Sequence, residues 1–183
     1  YCNADRAKTE VFTKANRAEA RKAATQSFVL LKNEGNTLPV KKSASIALVG
    51  PLADAKENMT GTWSVAARFS ESVSLREGLQ KAMGSNAKIL YAKGSNLDED
   101  EALETNSTMF GKSLHRDKRS AAAIRDEAVR IARNADVIVA AVGEAAEMSG
   151  EAASRTNIEI PETQRELLKA LLKTGKPVIV VLF

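Results

Sequence analysis

The chain has 183 residues, 44% of them hydrophobic and 27% charged, with a formal net charge of +4. This is enough for one domain with a sizeable core, too little for two ordinary ones, and a composition ordinary for a soluble globular protein. Lys and Arg are spread among Asp and Glu, and the basic runs Lys41-Lys42 and Arg116 to Arg119 are short and lack interleaved aromatics, so they read as a solvated surface and argue against a nucleic-acid partner.

Residues 1–16 are mixed and polar. From Asn16, a candidate N-cap, Ala18, Ala20, Ala23, Ala24, Ser27 and Phe28 fit a helix with one small apolar face. The chain runs on through Val29-Leu30-Leu31 into Lys32–Asn36, where Gly35 and Asn36 suit positive φ, and Leu38-Pro39-Val40 is extended because proline pushes its predecessor out of the helical region. Ser45 to Gly50 is a short apolar run bounded by turn residues, hence a buried strand. Residues 55–74 are small and polar and hold the only tryptophan, Trp63, within Gly61-Thr62-Trp63-Ser64. Ser74 and Glu77 match a capping box that opens a helix with Leu75, Leu79, Ala82 and Met83 on one face, ended by Gly84-Ser85-Asn86.

Lys88 to Ala92 is the second strand. Lys93 to Ser120, polar and charged, reads as an insertion or exposed loop. Ala121 to Ala135 is an amphipathic helix, Asp136 to Val142 the third strand, Glu162 to Thr174 a helix stopped by Gly175, and Val178 to Phe183 the fourth strand. Strands that are continuously apolar and alternate with helices predict an α/β fold: a three-layer α/β/α sandwich with a mostly parallel, doubly wound sheet of order 2-1-3-4. Tyr1 is no natural initiator and the last strand has no turn after it, so the chain is expected to be a piece of a longer protein, truncated at its C-terminal end. The open edge of that strand invites pairing with a second copy, which makes a homodimer an expectation to test.

The single cysteine, Cys2, allows no internal disulfide, and the single histidine, His115, sits in a polar stretch. Together they supply no His/Cys metal site, no nucleophile elbow accompanies His115, and no cofactor is implied. The turn Gly50-Pro51-Leu52-Ala53-Asp54 lacks the glycines of a phosphate-cradling loop. No apolar run reaches membrane-spanning length, and no secretory leader stands at the start.

The chemistry concentrates between Asp136 and Leu171. A long polar stretch follows the third strand and carries Glu144, Glu147, Glu151 and Arg155. Ligands of open α/β sheets sit outside the carboxyl ends of the strands, and connections this long are usually functional or disordered. A carboxylic acid that donates a proton near neutral pH needs burial against substrate or a second carboxylate nearby. Glu147 and Glu151, flanking Ser149-Gly150, are therefore acid/base candidates, with a solvated acidic loop as the alternative. Glu144, directly after the strand, is expected to be held by a neighbour. Trp63 is either a local core plug or an apolar platform for a sugar ring or other flat ligand.

Gly143-Glu144, Ser149-Gly150-Glu151-Ala152, Ser154-Arg155-Thr156 and Ile160-Pro161-Glu162-Thr163-Gln164 together resemble the C-terminal α/β sandwich domain of glycoside hydrolase family 3, the periplasmic β-glucosidase branch most of all. Ser27–Asn33 with Leu38-Pro39, Val49–Asp54, Gly61–Ser64, Tyr91–Gly94 and Gly175–Val178 match in the same order. The resemblance runs from about Arg17 onward and is weakest over Asn96–Ser120. It implies residues 1–16 as a linker from an absent N-terminal TIM-barrel domain and 17–183 as an incomplete C-terminal sandwich domain. It also implies a retaining hydrolase of β-linked glucosides or xylosides, acting on oligosaccharide or aryl glucoside substrates, periplasmic or secreted. In such enzymes two carboxylates about 5–5.5 Å apart act as nucleophile and acid/base. The family's aspartate nucleophile lies on the barrel, so the chain alone is expected to be inactive. Carried onto this sequence, Glu151 is the acid/base and Glu147 the runner-up; Arg155 orients the loop or the acid, and Trp63 lines a leaving-group subsite. A flavodoxin-like binding or docking module without catalysis is the competing reading.

Overall fold

The computed structural model describes residues 2–64, 66–106, 115–151 and 153–183. The chain divides into two compact units, residues 1–38 and Pro39–Phe183.

The first unit holds helices α1 (Arg6–Glu10) and α2 (Lys14–Ser27). Helix α2 is capped by Thr13 and not, as expected, by Asn16. The Thr13 hydroxyl accepts the Asn16 N–H at 3.1 Å, which puts Asn16 inside the first turn, where its own amide reaches back to the Glu10 carbonyl at 3.0 Å. A Ser or Thr hydroxyl three residues before an orphan N–H satisfies it as well as Asn does. Gly35 and Asn36 take positive φ, 72° and 53°, and the Asn33 side-chain amide closes that turn on both the N–H and the C=O of Leu38.

The second unit is a parallel sheet of β1 (Ile46–Val49), β2 (Ile89–Ala92), β3 (Val137–Val142) and β4 (Val178–Leu182) in the order β2-β1-β3-β4. Ile46 pairs with Ile89 on one side and Val137 on the other, and Ile138 pairs with Val178. Alternate side chains face opposite ways, so each strand feeds two cores. Ile46, Leu48, Val137, Val139 and Ala141 pack with Leu75, Leu79 and Met83 of α3 (Leu75–Met83). Ala47, Val49, Ile138 and Ala140 pack with Ala128 and Ala132 of α5 (Ala121–Arg133) and with Leu167 and Leu171 of α6 (Glu162–Leu172). Helices on both faces make the expected three-layer sandwich. The capping box at Ser74 and Glu77 is formed on both arms.

Residues 93–120 differ from expectation. The segment 107–114 lies outside the described residues, but what flanks it is in part interior. Ser95, Asn96, Leu97, Asp98 and Glu104 are buried, the last on the short helix α4 (Glu101–Asn106). The Glu104 carboxylate is neutralised by Arg116 and accepts the Leu97 N–H at 3.1 Å. A polar stretch can go inside when its charges are paired and hydrogen-bonded there.

The order β2-β1-β3-β4 has a consequence for function. The β1 crossover through α3 leads to one side of the sheet and the β3 crossover through α6 to the other. The loops leaving the carboxyl ends of β1 and β3 diverge at the point where ligand crevices form in doubly wound sheets.

Candidate active-site loop at the switch point of the sheet

The chain leaves β3 at Gly143, whose φ is +131°. A Cβ there would lie 2.3 Å from the Phe183 carbonyl oxygen, so any side chain would collide with the backbone that follows β4. Glu144 N–H donates to the same oxygen at 3.3 Å. From the other side, the fully buried Gln164 of α6 pairs with the Gly143 backbone in both senses: Oε1 accepts the Gly143 N–H at 2.9 Å, and Nε2 donates to the Gly143 carbonyl at 2.8 Å. Nε2 also donates to the Leu97 carbonyl at 2.7 Å. Leaving such buried groups unpaired would cost about 1–3 kcal/mol apiece.

Past this root the loop is pinched into a neck. The Glu144 carboxylate pairs with the Arg155 guanidinium, as the expectation of a held Glu144 required. Arg155 also donates to the carbonyls of Asn157, at 3.2 Å, and Glu159, at 3.0 Å. One planar cation thereby binds both ends of the loop, a geometry to which the guanidinium fork is suited.

The near half of the loop is anchored downward. Ala145 and Met148 sit in the core, and the turn Ala146–Met148 lies against the loop that follows β1. Asn58 Oδ1 accepts the Ala146 N–H at 2.8 Å, and the Thr62 hydroxyl donates to Glu147 Oε2 at 3.1 Å. Gly150, at φ +108°, passes so close to Thr62 that a Cβ would stand 3.2 Å from Thr62 Cγ2. Glu151, next in the chain, is exposed, and its carboxylate has no hydrogen bond or ion pair to any described residue. On the facing loop, Trp63, whose ring lies against Gly150, is 66% exposed and so is not a core plug.

A cavity of about 180 Å³ opens at the carboxyl ends of β1 and β2, lined in part by Pro51, Asp54, Asn58, Tyr91, Lys93 and His115. It is smaller than the roughly 300–1,000 Å³ of ordinary small-molecule pockets. Lys93 Nζ donates to Asn96 Oδ1 and to the His115 carbonyl, each at 2.9 Å. Burial holds its pKa down to about 8, with Asp117 opposing and Arg116 assisting. His115 is itself exposed. Among the described residues no His, Cys, Asp or Glu cluster could hold a metal ion, and no helix is long and apolar enough to cross a membrane.

The family model for the glycosyl hydrolase family 3 C-terminal domain matches residues 28–183. The chain belongs to this family. It is 48% identical over 174 residues to the periplasmic β-glucosidase of Salmonella typhimurium, covering 95% of this chain and 23% of that protein. A β-xylosidase of Formosa agariphila is 35% identical over 179 residues, with 94% and 22% covered. Among solved structures, the β-glucosidase of Listeria innocua in complex with glucose superposes with a TM-score of 0.71 at 32% identity, covering 96% of this chain and 21% of that one. The chain thus spans between a fifth and a quarter of the length of these relatives.

Within this family 3 domain, the residues singled out from sequence come together on one rim: Glu147, Glu151 and Arg155 on the loop after β3, and Trp63 on the loop after β1. Asn58 was not singled out, and Thr62 and Gln164 stood within motifs that carry the resemblance but were given no role. Gln164 had a signal, since it lies three residues before Leu167 and seven before Leu171, on the buried stripe of α6. The partners of Thr62 and Asn58 had none, because hydrogen bonds across 85 and 88 residues of chain carry no local pattern.

Proposed function

We propose that this chain supplies the general acid/base of a retaining β-glycosidase acting on β-linked glucosides or xylosides, and that Glu151 is that residue. In this reading residues 1–16 connect to a TIM-barrel domain elsewhere in the protein, which carries the aspartate nucleophile and most contacts to the bound sugar. Glu151 protonates the glycosidic oxygen as the barrel carboxylate attacks the anomeric carbon and forms a glycosyl-enzyme. It then takes a proton from the water that releases the sugar.

One observation carries the assignment. Of the glutamates on the loop, Glu144 is spent on Arg155 and Glu147 on Thr62, while Glu151 stands exposed on a loop braced on both flanks. A proton donor must come within hydrogen-bond reach of the glycosidic oxygen, and a carboxylate with no internal partner, on a loop held at its root and neck, is available to do so once substrate covers it. Trp63 forms an apolar platform for the leaving group, and Arg155 positions the loop. The names of the relatives, glucosidases and a xylosidase, support the substrate class, and the periplasmic name of one supports action in the periplasm or outside the cell.

The full-length enzyme with Glu151→Ala tests this. Hydrolysis of alkyl glucosides should collapse, while activated aryl glucosides, whose leaving groups need no proton, retain more of their rate. If Glu147→Ala gives that pattern and Glu151→Ala does not, the role belongs to Glu147. The isolated chain should release no nitrophenol from an aryl β-glucoside; turnover matching a full enzyme would overturn the division of labour between domains.

A further inference from the structure

We infer that Gln164 is a positioning residue for the acid/base, acting through the root of the loop that carries Glu151. The inference rests on the acid/base reading of Glu151 and adds to it the element that sets where that loop starts. Gln164 is fully buried on the first turn of α6, in a row with the buried Leu167 and Leu171. A polar side chain in such a place is costly unless its amide is fully used. Here it is used entirely on backbone: reciprocal bonds to the N–H and C=O of Gly143, at 2.9 and 2.8 Å, and a third to the Leu97 carbonyl, at 2.7 Å.

The side-chain amide behaves as an additional peptide beside the end of β3. Gly143 has no side chain of its own to fix its direction, and its φ of +131° is open to few residues. Its orientation comes from the Phe183 backbone on one side and Gln164 on the other. Glu144, which closes the neck with Arg155, is the next residue, so rotation at Gly143 would swing the neck and the carboxylate beyond it. The bond to Leu97 ties this root to the segment after β2, so one amide joins the β2–β3 and β3–β4 connections. Arg155 and Thr62 hold the loop's shape; Gln164 sets its origin on the sheet.

The test uses the full-length enzyme with Gln164→Leu and Gln164→Glu, each assayed on an alkyl β-glucoside and on a dinitrophenyl β-glucoside. The comparison is made on kcat/KM, which reports the glycosylation step; there a misplaced acid harms only the substrate whose leaving group needs a proton, whereas kcat on the dinitrophenyl glucoside also reports the base role in the second step. The alkyl rate should fall on the order of ten- to a hundredfold more than the dinitrophenyl rate, the scale on which a small misplacement of a catalytic group acts. Loss of folded enzyme would lower both rates equally, so equal losses in both variants overturn the inference. Gln164→Glu keeps the shape but can donate only when protonated, so its selective loss should be smaller at acid pH and grow as pH rises. In a Glu151→Ala background the selective loss should vanish, because the acid it acts through is gone. If Glu151→Ala alone shows no leaving-group dependence, the acid/base reading falls and this inference falls with it. If that dependence is present and the Gln164 variants lack it, only this inference falls.

Discussion

Arg155 and Glu144 form an ion pair across the neck of the loop, and the same guanidinium binds the carbonyls of Asn157 and Glu159. The pair is half-buried, so the charge itself contributes little and the hydrogen bonds to backbone carry most of the effect. Replacing Arg155 with Met should leave the sheet intact and loosen the loop. In the full-length enzyme the expected outcome is about a tenfold or greater loss of kcat/KM on poor leaving groups, with a small change in Tm. A variant with unaltered kinetics on both substrate types would show that the neck does not position the acid.

Glu147 and Thr62 give a contrasting case. Their hydrogen bond is made at 3.1 Å between the two facing loops. Thr62→Val removes the donor at nearly constant volume and should cost about 1 kcal/mol of stability. Glu147→Gln keeps an acceptor for Thr62 and should be milder still. Neither variant should respond to azide. Rate recovery by azide in Glu147→Ala, measured on an activated aryl glucoside, would move the acid/base role to that residue.

The core is sensitive in an ordinary way. Ile138 is fully buried between α5 and α6, on the strand beside β4. Ile138→Ala should destabilise the protein by about 2–5 kcal/mol, read by denaturant unfolding. A cost below about 1 kcal/mol would mean that the site collapses freely and that packing there is looser than the buried cluster implies.

Lys93 predicts a pH dependence of stability. Its pKa is held down to about 8 in the fold against 10.5 when unfolded. Between those values the unfolded chain binds more protons, so stability rises with pH across that window, and the burial cost is fully present below pH 8. In Lys93→Met that rise should be absent, so the variant's stability relative to the parent should be highest below pH 8 and decline toward pH 10.5. Parallel stability curves for the two proteins would contradict a half-buried Lys93 with a depressed pKa.

The sheet and its order were readable because β1, β2, β3 and β4 are apolar runs separated by helical periods, and because Ser74 and Glu77 sit at capping-box spacing. The loop after β3 was readable as a long polar connection at a strand's carboxyl end, and the expectation that a neighbour holds Glu144 is met by Arg155. What local pattern cannot carry is which polar residue faces inward. Glu104 is 3% exposed because Arg116, across the segment 107–114, neutralises it. Gln164 is buried because Gly143 and Leu97 bring three backbone groups to it. The α2 cap fell to Thr13 over Asn16 for a similar reason: both residues can cap, and the choice depended on where the chain turned before them.

The measurement that bears most directly on the site is azide rescue in the full-length enzyme carrying Glu151→Ala. With an activated aryl β-glucoside the glycosyl-enzyme still forms, but its hydrolysis lacks a base. Azide needs none, so the expected result is a rate that rises with azide concentration and a glycosyl azide of retained β configuration as product. A Glu151→Ala enzyme that hydrolyses alkyl and aryl glucosides in the parent's proportions, and forms no glycosyl azide, would show that the carboxylate at position 151 does not handle the proton.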